Sequence, residues 1–114
     1  MRKSYKLTLR NQKNFVAVYN RGKSKGCRFA VVLYKKNGLP HSRFAYVASK
    51  KVGNSVQRNR ARRLMREAYR TMNRRIAPGY DVIFVARNGI DQSKCDEVRK
   101  AMFGAIRAAG LFEE

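Results

Sequence analysis

Arginine is concentrated in one short segment of this 114-residue chain. The stretch VGNSVQRNRARRLMREAYR, residues 52–70, carries six arginines after its first six residues, and Glu67 is its only acid. A guanidinium group offers a planar fork of hydrogen-bond donors that suits phosphate oxygens, whereas like charges packed this closely repel one another. The segment therefore predicts a binding surface for a phosphate-containing polyanion.

The charge of the whole chain supports the same prediction. Lysine and arginine number 27 against 7 acids, which gives a formal net charge of +20. Nucleic acid is the commonest partner of such a protein, and an anionic membrane surface is the alternative. The sequence shows no long apolar run, signal peptide or lipidation motif, so we expect a cytoplasmic protein with no membrane partner.

Residues able to support catalysis or hold a metal are scattered along the chain. The acids are Glu67, Asp81, Asp91, Asp96, Glu97, Glu113 and Glu114. His41 is the single histidine, and Cys27 and Cys95 have no CxxC partner, so a zinc site lacks its ligands. A protein nuclease needs grouped carboxylates or a general base. We therefore expect no catalytic residue and no metal site in this chain.

A first helix is predicted between Asn11, as its N-cap, and Gly22, after its last turn. Phe15, Val18 and Tyr19 have the spacing of one helical face. An aromatic pair at this spacing is most often part of a core. The alternative is that Phe15 and Tyr19 stack on unpaired bases, with lysines and arginines nearby. From the residue types alone, the core interpretation is favoured.

Two strands are predicted next, over residues 28–35 and 43–49, because both segments are rich in β-branched and aromatic side chains. The intervening NGLPH is typical of a turn, so the two strands predict an antiparallel hairpin. Alternate residues of the first strand form two faces, one of which carries Val31 and Leu33. Either face could line a groove, and the sequence does not decide between them.

The rest of the chain predicts a long helix over residues 56–76, an apolar strand over 80–86 and a last helix over 94–109. The long helix would join two strands that can run parallel. This order predicts an α+β fold of two packed layers. The length predicts one domain over residues 1–114, with residues 1–10 as a basic arm.

The long helix has two different sides at about 100° per residue. The apolar side, which predicts contact with the sheet, carries Ala61, Leu64, Met65, Ala68, Tyr69, Met72 and Ile76. The opposite side carries Asn59, Arg62, Arg63, Arg66, Arg70 and Arg74, with Arg58 and Arg60 in the first turn. A charged helix side is often merely solvated, but solubility does not require arginine without matching acids. Phosphate binding is therefore favoured.

The KKVGNS loop before this helix allows two interpretations. Lys50, Lys51 and Asn54 could hold an anion at the positive helix N-terminus. The loop could equally be an ordinary helix cap, and the residue types leave both alternatives open.

The segment SKKVGNSVQRNRARRLMREAYR, residues 49–70, resembles the signature of the protein subunit of bacterial ribonuclease P. That signature is an Arg-Asn-Arg core after a Lys-Lys-x-Gly-Asn loop, and the similarity extends to the early helix with Phe15, Tyr19 and Gly22, to RFAYVASKK and to YDVIFVAR. The resemblance implies an αβββαβα fold with a mostly antiparallel four-stranded sheet. It also implies one parallel pair of strands joined by a left-handed crossover helix.

The resemblance further implies a division of labour. In that family a large catalytic RNA subunit carries out the magnesium-dependent cleavage that forms the mature 5′ end of transfer RNA. The small protein binds this RNA and the single-stranded 5′ leader of precursor tRNA. Mg²⁺ would be held mainly by the RNA subunit and none tightly by the protein, and we expect one protein chain per RNA.

The resemblance assigns site residues by their position in the matched motifs. The residues toward the catalytic RNA are Lys50, Lys51 and Asn54 in the loop, and Arg58, Asn59, Arg60, Arg62, Arg63, Arg66 and Arg70 on the helix. Phe15 and Tyr19 match the aromatic pair of the leader-binding cleft, and Val31 and Leu33 its floor. A slip of one residue would place Val32 and Tyr34 on that floor instead.

Three other functions compete with this assignment. A ribosomal or general RNA-binding protein would share the charge and the fold class, but it does not require the Arg-Asn-Arg segment after a basic loop. A helix-turn-helix DNA-binding protein needs a short helix before the basic one, where strands are predicted here. A self-sufficient nuclease is disfavoured by the scattered acids.

Overall fold

The order of elements follows the predicted order. The computed structural model describes Leu9 and residues 11–113, so the predicted arm lies, except for Leu9, outside the described residues. The elements are α1 (Gln12–Arg21), β1 (Lys23–Gly26), β2 (Ala30–Lys36), β3 (Arg43–Val47), α2 (Ser55–Arg70), β4 (Tyr80–Ala86), a 3-10 turn (Ile90–Gln92) and α3 (Cys95–Ala108).

The four strands form one sheet in the order β1-β2-β4-β3. β2 runs antiparallel to both β1 and β4, whereas β3 runs parallel to β4 and is connected to it through α2. The predicted α+β fold with one parallel pair is therefore confirmed, while the left hand of the crossover stays a prediction. The predicted hairpin between residues 28–35 and 43–49 is wrong, because β4 lies between β2 and β3.

The connection from β2 to β3 spans the start of β4 and does not close a two-stranded hairpin. The backbone N–H of Asn37 donates to the carbonyl of Gly79 at 2.9 Å. The Ser42 hydroxyl donates to the carbonyl of Ala77 at 2.8 Å and accepts from the backbone N–H of Tyr80 at 2.9 Å. Turn residues such as those of NGLPH show where a strand ends, but they do not specify which strand becomes its neighbour. The apolar β4 fills the gap because an interior position buries both of its faces.

Different helices pack against the two faces of the sheet. The main-core face carries Val32 and Phe84 and packs against α2 and α3. The other, which we call the α1 face, carries Ala45 and Ile83 and packs against Val18 of α1. Ile83 and Phe84 point to opposite faces and are both 0% exposed, so β4 is covered on both sides, as its continuous apolar sequence favours.

Both ends of α1 are as predicted. The Asn11 side chain accepts a hydrogen bond from the backbone N–H of Lys13 at 2.9 Å, and Gly22 follows the last turn. A Cβ atom at position 22 would lie 2.5 Å from the carbonyl oxygen of Val18 and 2.7 Å from that of Tyr34. Because both of these atoms belong to the backbone, the chain needs glycine where α1 passes into β1.

Helix α2 ends at Arg70 and not, as predicted, at residue 76. The Arg75 guanidinium donates to the carbonyls of Tyr69 and Arg70, both at 2.7 Å, and so satisfies groups that a further turn would have used. Met72 and Ile76 are nevertheless buried, since the irregular segment after α2 packs on the same core. The apolar pattern thus continued beyond the helix itself.

Within Leu9 and residues 11–113, no helix is long and apolar enough to span a bilayer.

Candidate nucleic-acid interface

The side of α2 that faces away from the sheet is lined with basic side chains. On the opposite side Ala61, Met65 and Ala68 are 0% exposed, as the helical period predicts. We call the outward set the arginine ridge; it comprises Arg58, Asn59, Arg62, Arg63, Arg66 and Arg70. Arg74, predicted on this side, lies beyond the helix and its guanidinium stacks on the ring of Phe112 at 4.6 Å.

Several side chains of the arginine ridge are held by neighbours on the same helix. Arg62 donates to the side-chain carbonyl of Asn59, and Arg70 forms an ion pair with Glu67. The hydrogen bond from Arg70 lowers the pKa of the Glu67 carboxyl. Arg63 is exposed and, within the described part of the chain, has neither a hydrogen bond nor an ion pair. Its guanidinium is therefore open to a ligand.

Arg66 lies beside an aromatic surface that the sequence reasoning missed. Its guanidinium carbon is 5.3 Å from the centre of the Tyr46 ring, and that ring stacks on Phe84 at 5.3 Å. Burial raises the pKa of the Tyr46 hydroxyl, and the positive charge of Arg66 opposes that effect. Tyr46 is thus a neutral phenol that orients Arg66 along the β3 side of α2. The alternation of side chains along the strand RFAYV was the sequence feature that could have indicated this position of Tyr46.

Arg60 points away from the arginine ridge. Its Nε donates to the backbone carbonyl of Asp91, in the 3-10 turn before α3. A step of two residues turns a helix by about 200°, so Arg58 and Arg60 of the Arg-Asn-Arg motif necessarily lie on different sides of α2. Arg60 therefore joins α2 to the turn, and its contact with RNA stays a prediction.

The loop before α2 caps the helix. Asn54 accepts a hydrogen bond from the backbone N–H of Gln57 at 2.9 Å, and the Gln57 side chain accepts from the backbone N–H of Asn54 at 2.8 Å. Gly53 has φ +149°, and a Cβ there would lie 1.9 Å from Oε1 of Gln57. Lys50 and Lys51 are both exposed beside this cap. The capped-loop interpretation is thus observed, and anion binding by the two lysines stays a prediction.

On the α1 face, an aromatic pair forms one wall of a cleft. The Phe15 and Tyr19 rings lie 6.5 Å apart with an interplanar angle of 18°. Phe15 is half-buried against the small core on this face, whereas Tyr19 is 51% exposed. Partial burial raises the pKa of the Tyr19 hydroxyl. Phe15 is therefore partly core, and Tyr19 presents a surface on which a base could stack.

Val31 and Leu33 lie on the α1 face, as the floor of this cleft requires. The strand register aligns Val31 with Val85 and Val47, and all three side chains are only half-buried. Val32, which a one-residue slip would have chosen, is 0% exposed in the main core. We call the surface that Phe15 and Tyr19 of α1 form together with Val31 and Leu33 of β2 the aromatic cleft.

The aromatic cleft and the arginine ridge lie on opposite faces of the sheet and approach each other at one end. Val47 is the last residue of β3, and the chain passes from it through Lys50 and Lys51 into α2. The valine row of the cleft floor therefore leads to the same end of the sheet as the start of the ridge. A polyanion in the cleft would meet the two lysines before it reached α2.

An ion-pair network under α1 was not found from the sequence. Arg43 donates to both carboxylate oxygens of Asp81, at 2.8 and 2.7 Å, and Asn37 donates to the same carboxylate at 2.9 Å. With its amide oriented to satisfy both groups, Asn14 of α1 accepts from Arg43 at 3.2 Å. The network therefore joins α1 to β3 and β4. In the sequence, the only feature that indicates this network is a charged residue near the start of each strand, Arg43 in β3 and Asp81 in β4.

The whole chain is similar to proteins of one family. The family model named Ribonuclease P matches residues 1–110. The chain belongs to the ribonuclease P protein family. Two relatives named ribonuclease P protein component, from Caldanaerobacter subterraneus subsp. tengcongensis and Clostridium botulinum, are each 40% identical. The first aligns over 96% of this chain and 95% of its own length, and the second over 91% and 89%.

Solved structures of ribonuclease P proteins have the same fold. The Staphylococcus aureus RNase P protein is 26% identical, with a TM-score of 0.81 over 94% of this chain and 98% of that protein. The Thermotoga maritima protein is 27% identical, with a TM-score of 0.76 over 89% and 96%. The chain is thus a protein subunit of ribonuclease P, an endoribonuclease of tRNA processing, and its partner is the ribonuclease P RNA. This membership favours a processing role over general RNA binding.

Proposed function

We propose that this protein binds the catalytic RNA of ribonuclease P through its arginine ridge and holds the single-stranded 5′ leader of precursor tRNA in its aromatic cleft. The RNA subunit then cleaves the precursor tRNA, and one protein chain binds one RNA subunit. The observation that carries the proposal is the meeting of the two surfaces at Lys50 and Lys51, in a chain of the ribonuclease P family.

The shape of the aromatic cleft supports an unpaired strand as its ligand. An exposed ring such as that of Tyr19 can stack on any base, because every base has a flat aromatic surface. The same face of the sheet offers the half-buried aliphatic side chains of Val31 and Leu33, and a duplex would keep its bases away from all of these groups. Contacts of this kind tolerate many sequences, which suits a subunit that meets the leaders of different tRNAs.

The arginine ridge supports contact with a phosphate backbone. Arg63 and Arg66 are exposed, and of the ridge arginines it is Arg70 that pairs with an acid among the described residues. Each phosphate that such a side chain neutralises releases counterions, with a slope in log K against log salt of about −0.7 to −0.9 per phosphate. Binding to the RNA subunit should therefore weaken steeply as salt is raised.

The described carboxylates support a catalytic centre in the RNA. Asp81, Glu67 and Asp96 each pair with an arginine, which already occupies oxygens that Mg²⁺ would need. Among Leu9 and residues 11–113, no group of three or more acids, histidines or cysteines could hold a metal ion. These residues do not fit a tight magnesium site, so the proposal places Mg²⁺ mainly on the RNA subunit.

The leader proposal is tested with Tyr19→Ala and, as a control outside the aromatic cleft, Leu39→Ala. The two side chains are 51% and 37% exposed, so neither change should unfold the protein. Loss of one stacked base costs about 1–3 kcal/mol. We expect the Tyr19 variant holoenzyme to bind leader-bearing precursor at least about fivefold more weakly, with unchanged affinity for mature tRNA. Equal losses for both RNAs would show that the leader does not occupy the cleft.

Reconstitution of the holoenzyme tests whether the catalytic centre lies in the RNA subunit. We expect the protein to lower the magnesium concentration at which the RNA subunit processes a leader-bearing precursor. The purified protein without RNA should leave the same precursor intact. Cleavage by RNA-free protein would refute the placement of the catalytic centre. An unchanged magnesium profile, with the protein shown to be bound, would refute its assistance.

A further inference from the structure

A hollow at the far end of the α2–α3 layer has no part in the function proposed above. Its volume is about 340 Å³, and its lining residues are Thr71, Met72, Asn73, Arg99, Lys100 and Phe103. Ligand pockets of about 300 Å³ and larger accept small organic molecules. Because α2 and α3 cover the main-core face, the hollow lies on the opposite side of the sheet from the aromatic cleft.

One side of the hollow is already fixed by protein contacts. Arg99 donates to the hydroxyl of Thr71 at 2.8 Å and forms an ion pair with Asp96, so its charge is largely balanced. By contrast, the side chains of Asn73 and Lys100 are exposed and have no hydrogen bond or ion pair within residues 9 and 11–113. A free amide and a free ammonium group therefore line the hollow beside an arginine that is already paired.

Phe103 gives the hollow an aromatic surface. Its ring is half-buried and packs on Phe112 with the ring centres 4.7 Å apart, and the Arg107 guanidinium carbon lies 6.0 Å from it. An aromatic ring can stack on a base, an amide can donate to and accept from a base edge, and an ammonium group can meet a phosphate. Phe103, Asn73 and Lys100 bring these three groups together.

We propose that this hollow binds one unpaired nucleotide of an RNA, with the base against Phe103, the base edge toward Asn73 and the phosphate at Lys100. The inference rests on the proposed function and adds a second, separate contact to it. The lining begins at Thr71, directly after Arg70 at the end of the arginine ridge. An RNA that follows the ridge thus reaches the hollow without crossing the sheet. The nucleotide belongs either to the ribonuclease P RNA or to precursor tRNA.

The test compares Asn73→Ala and Lys100→Ala with the control Lys36→Ala, which removes an exposed lysine outside the hollow, the ridge and the cleft. Affinity is measured for the RNA subunit alone and then, in the holoenzyme, for precursor tRNA. We expect each hollow variant to weaken one of these affinities by about fivefold or more, while the control does not. Loss at the first step assigns the nucleotide to the RNA subunit, and loss only at the second assigns it to the precursor.

Two further variants keep the outcome decisive. Phe103→Leu retains an apolar contact with Phe112 but removes the stacking surface, so it should reproduce the loss while thermal unfolding stays cooperative. Arg63→Ala on the arginine ridge tests the proposed function in the same assay. If the hollow variants bind both RNAs as the control does while Arg63→Ala binds weakly, the hollow proposal is overturned and the proposed function stands. If Arg63→Ala also binds normally, the proposed function fails.

Discussion

Replacing Asp81 with asparagine should weaken the fold through the ion-pair network under α1. The Asp81 side chain is 7% exposed and accepts from two nitrogens of Arg43 as well as from Asn37. Asparagine has the same shape but offers one acceptor, and its amide nitrogen would face a donor of Arg43. The substitution therefore leaves a guanidinium without its counter-charge in a site that water reaches poorly.

The size of the loss follows from this burial. Removing one partner of a buried ion pair costs about 3–5 kcal/mol of stability. The Arg43 side chain is 22% exposed, so water can partly solvate its unpaired charge and the loss should lie at the low end of that range. We expect a loss of about 3 kcal/mol in the free energy of unfolding. With a urea slope of about 2 kcal/mol per molar, the unfolding midpoint should fall by about 1.5 M.

A second Arg–Asp pair provides the control. Asp96 pairs with Arg99, but its side chain is 78% exposed, so Asp96→Asn should cost less than about 1 kcal/mol. Urea unfolding of both variants, followed by circular dichroism, measures the difference directly. Equal midpoints for the two variants would refute the claim that burial sets the value of the Asp81 network.

Four further substitutions have expected outcomes. Gly22→Ala forces a Cβ against two backbone oxygens and should lower the free energy of unfolding by about 2 kcal/mol in the same urea assay. Arg60→Ala removes a bond to the 3-10 turn and should destabilise the fold by about 1 kcal/mol, whereas Arg63→Ala should leave stability unchanged and weaken RNA binding. Glu67→Gln releases Arg70 from its ion pair, so the affinity for the RNA subunit, measured by filter binding at low salt, should rise. Weaker binding by this last variant would show that the ion pair orients Arg70 for the RNA.

Local patterns predicted the elements well, because each element depends on side chains close together in the sequence. Asn11 and Gly22 mark the ends of α1 through contacts within a few residues, and the apolar side of α2 is buried as its period requires. The pairing of the strands is a different problem. Whether β2 lies next to β3 or next to β4 is decided by burial of both faces of β4, which is a property of the whole sheet.

The same limit applies to the candidate site. Residue types and a motif were enough to propose which side chains meet RNA, and the alternation of β2 correctly grouped Val31 with Leu33. The neighbours of each arginine could not be predicted, because Tyr46 and Asp91 come from segments distant in sequence. The hollow beside Phe103 is likewise formed by the segment after α2 and by α3, two segments that no single motif connects.

The side chains next to the ridge arginines affect how the positive charge of the chain contributes to RNA binding. A net charge of +20 describes attraction at long range, yet an arginine that contacts a phosphate must also give up side-chain freedom. Arg62 and Arg66 already have neighbours that restrict them, so under the proposed function less freedom remains to be lost when RNA arrives. Asn59 and Tyr46 would therefore favour binding without touching the ligand, whereas the Glu67 carboxylate would compete with phosphate for Arg70. On this physical basis, part of the arginine ridge is positioned before the RNA is present, while Arg63 keeps its side-chain freedom.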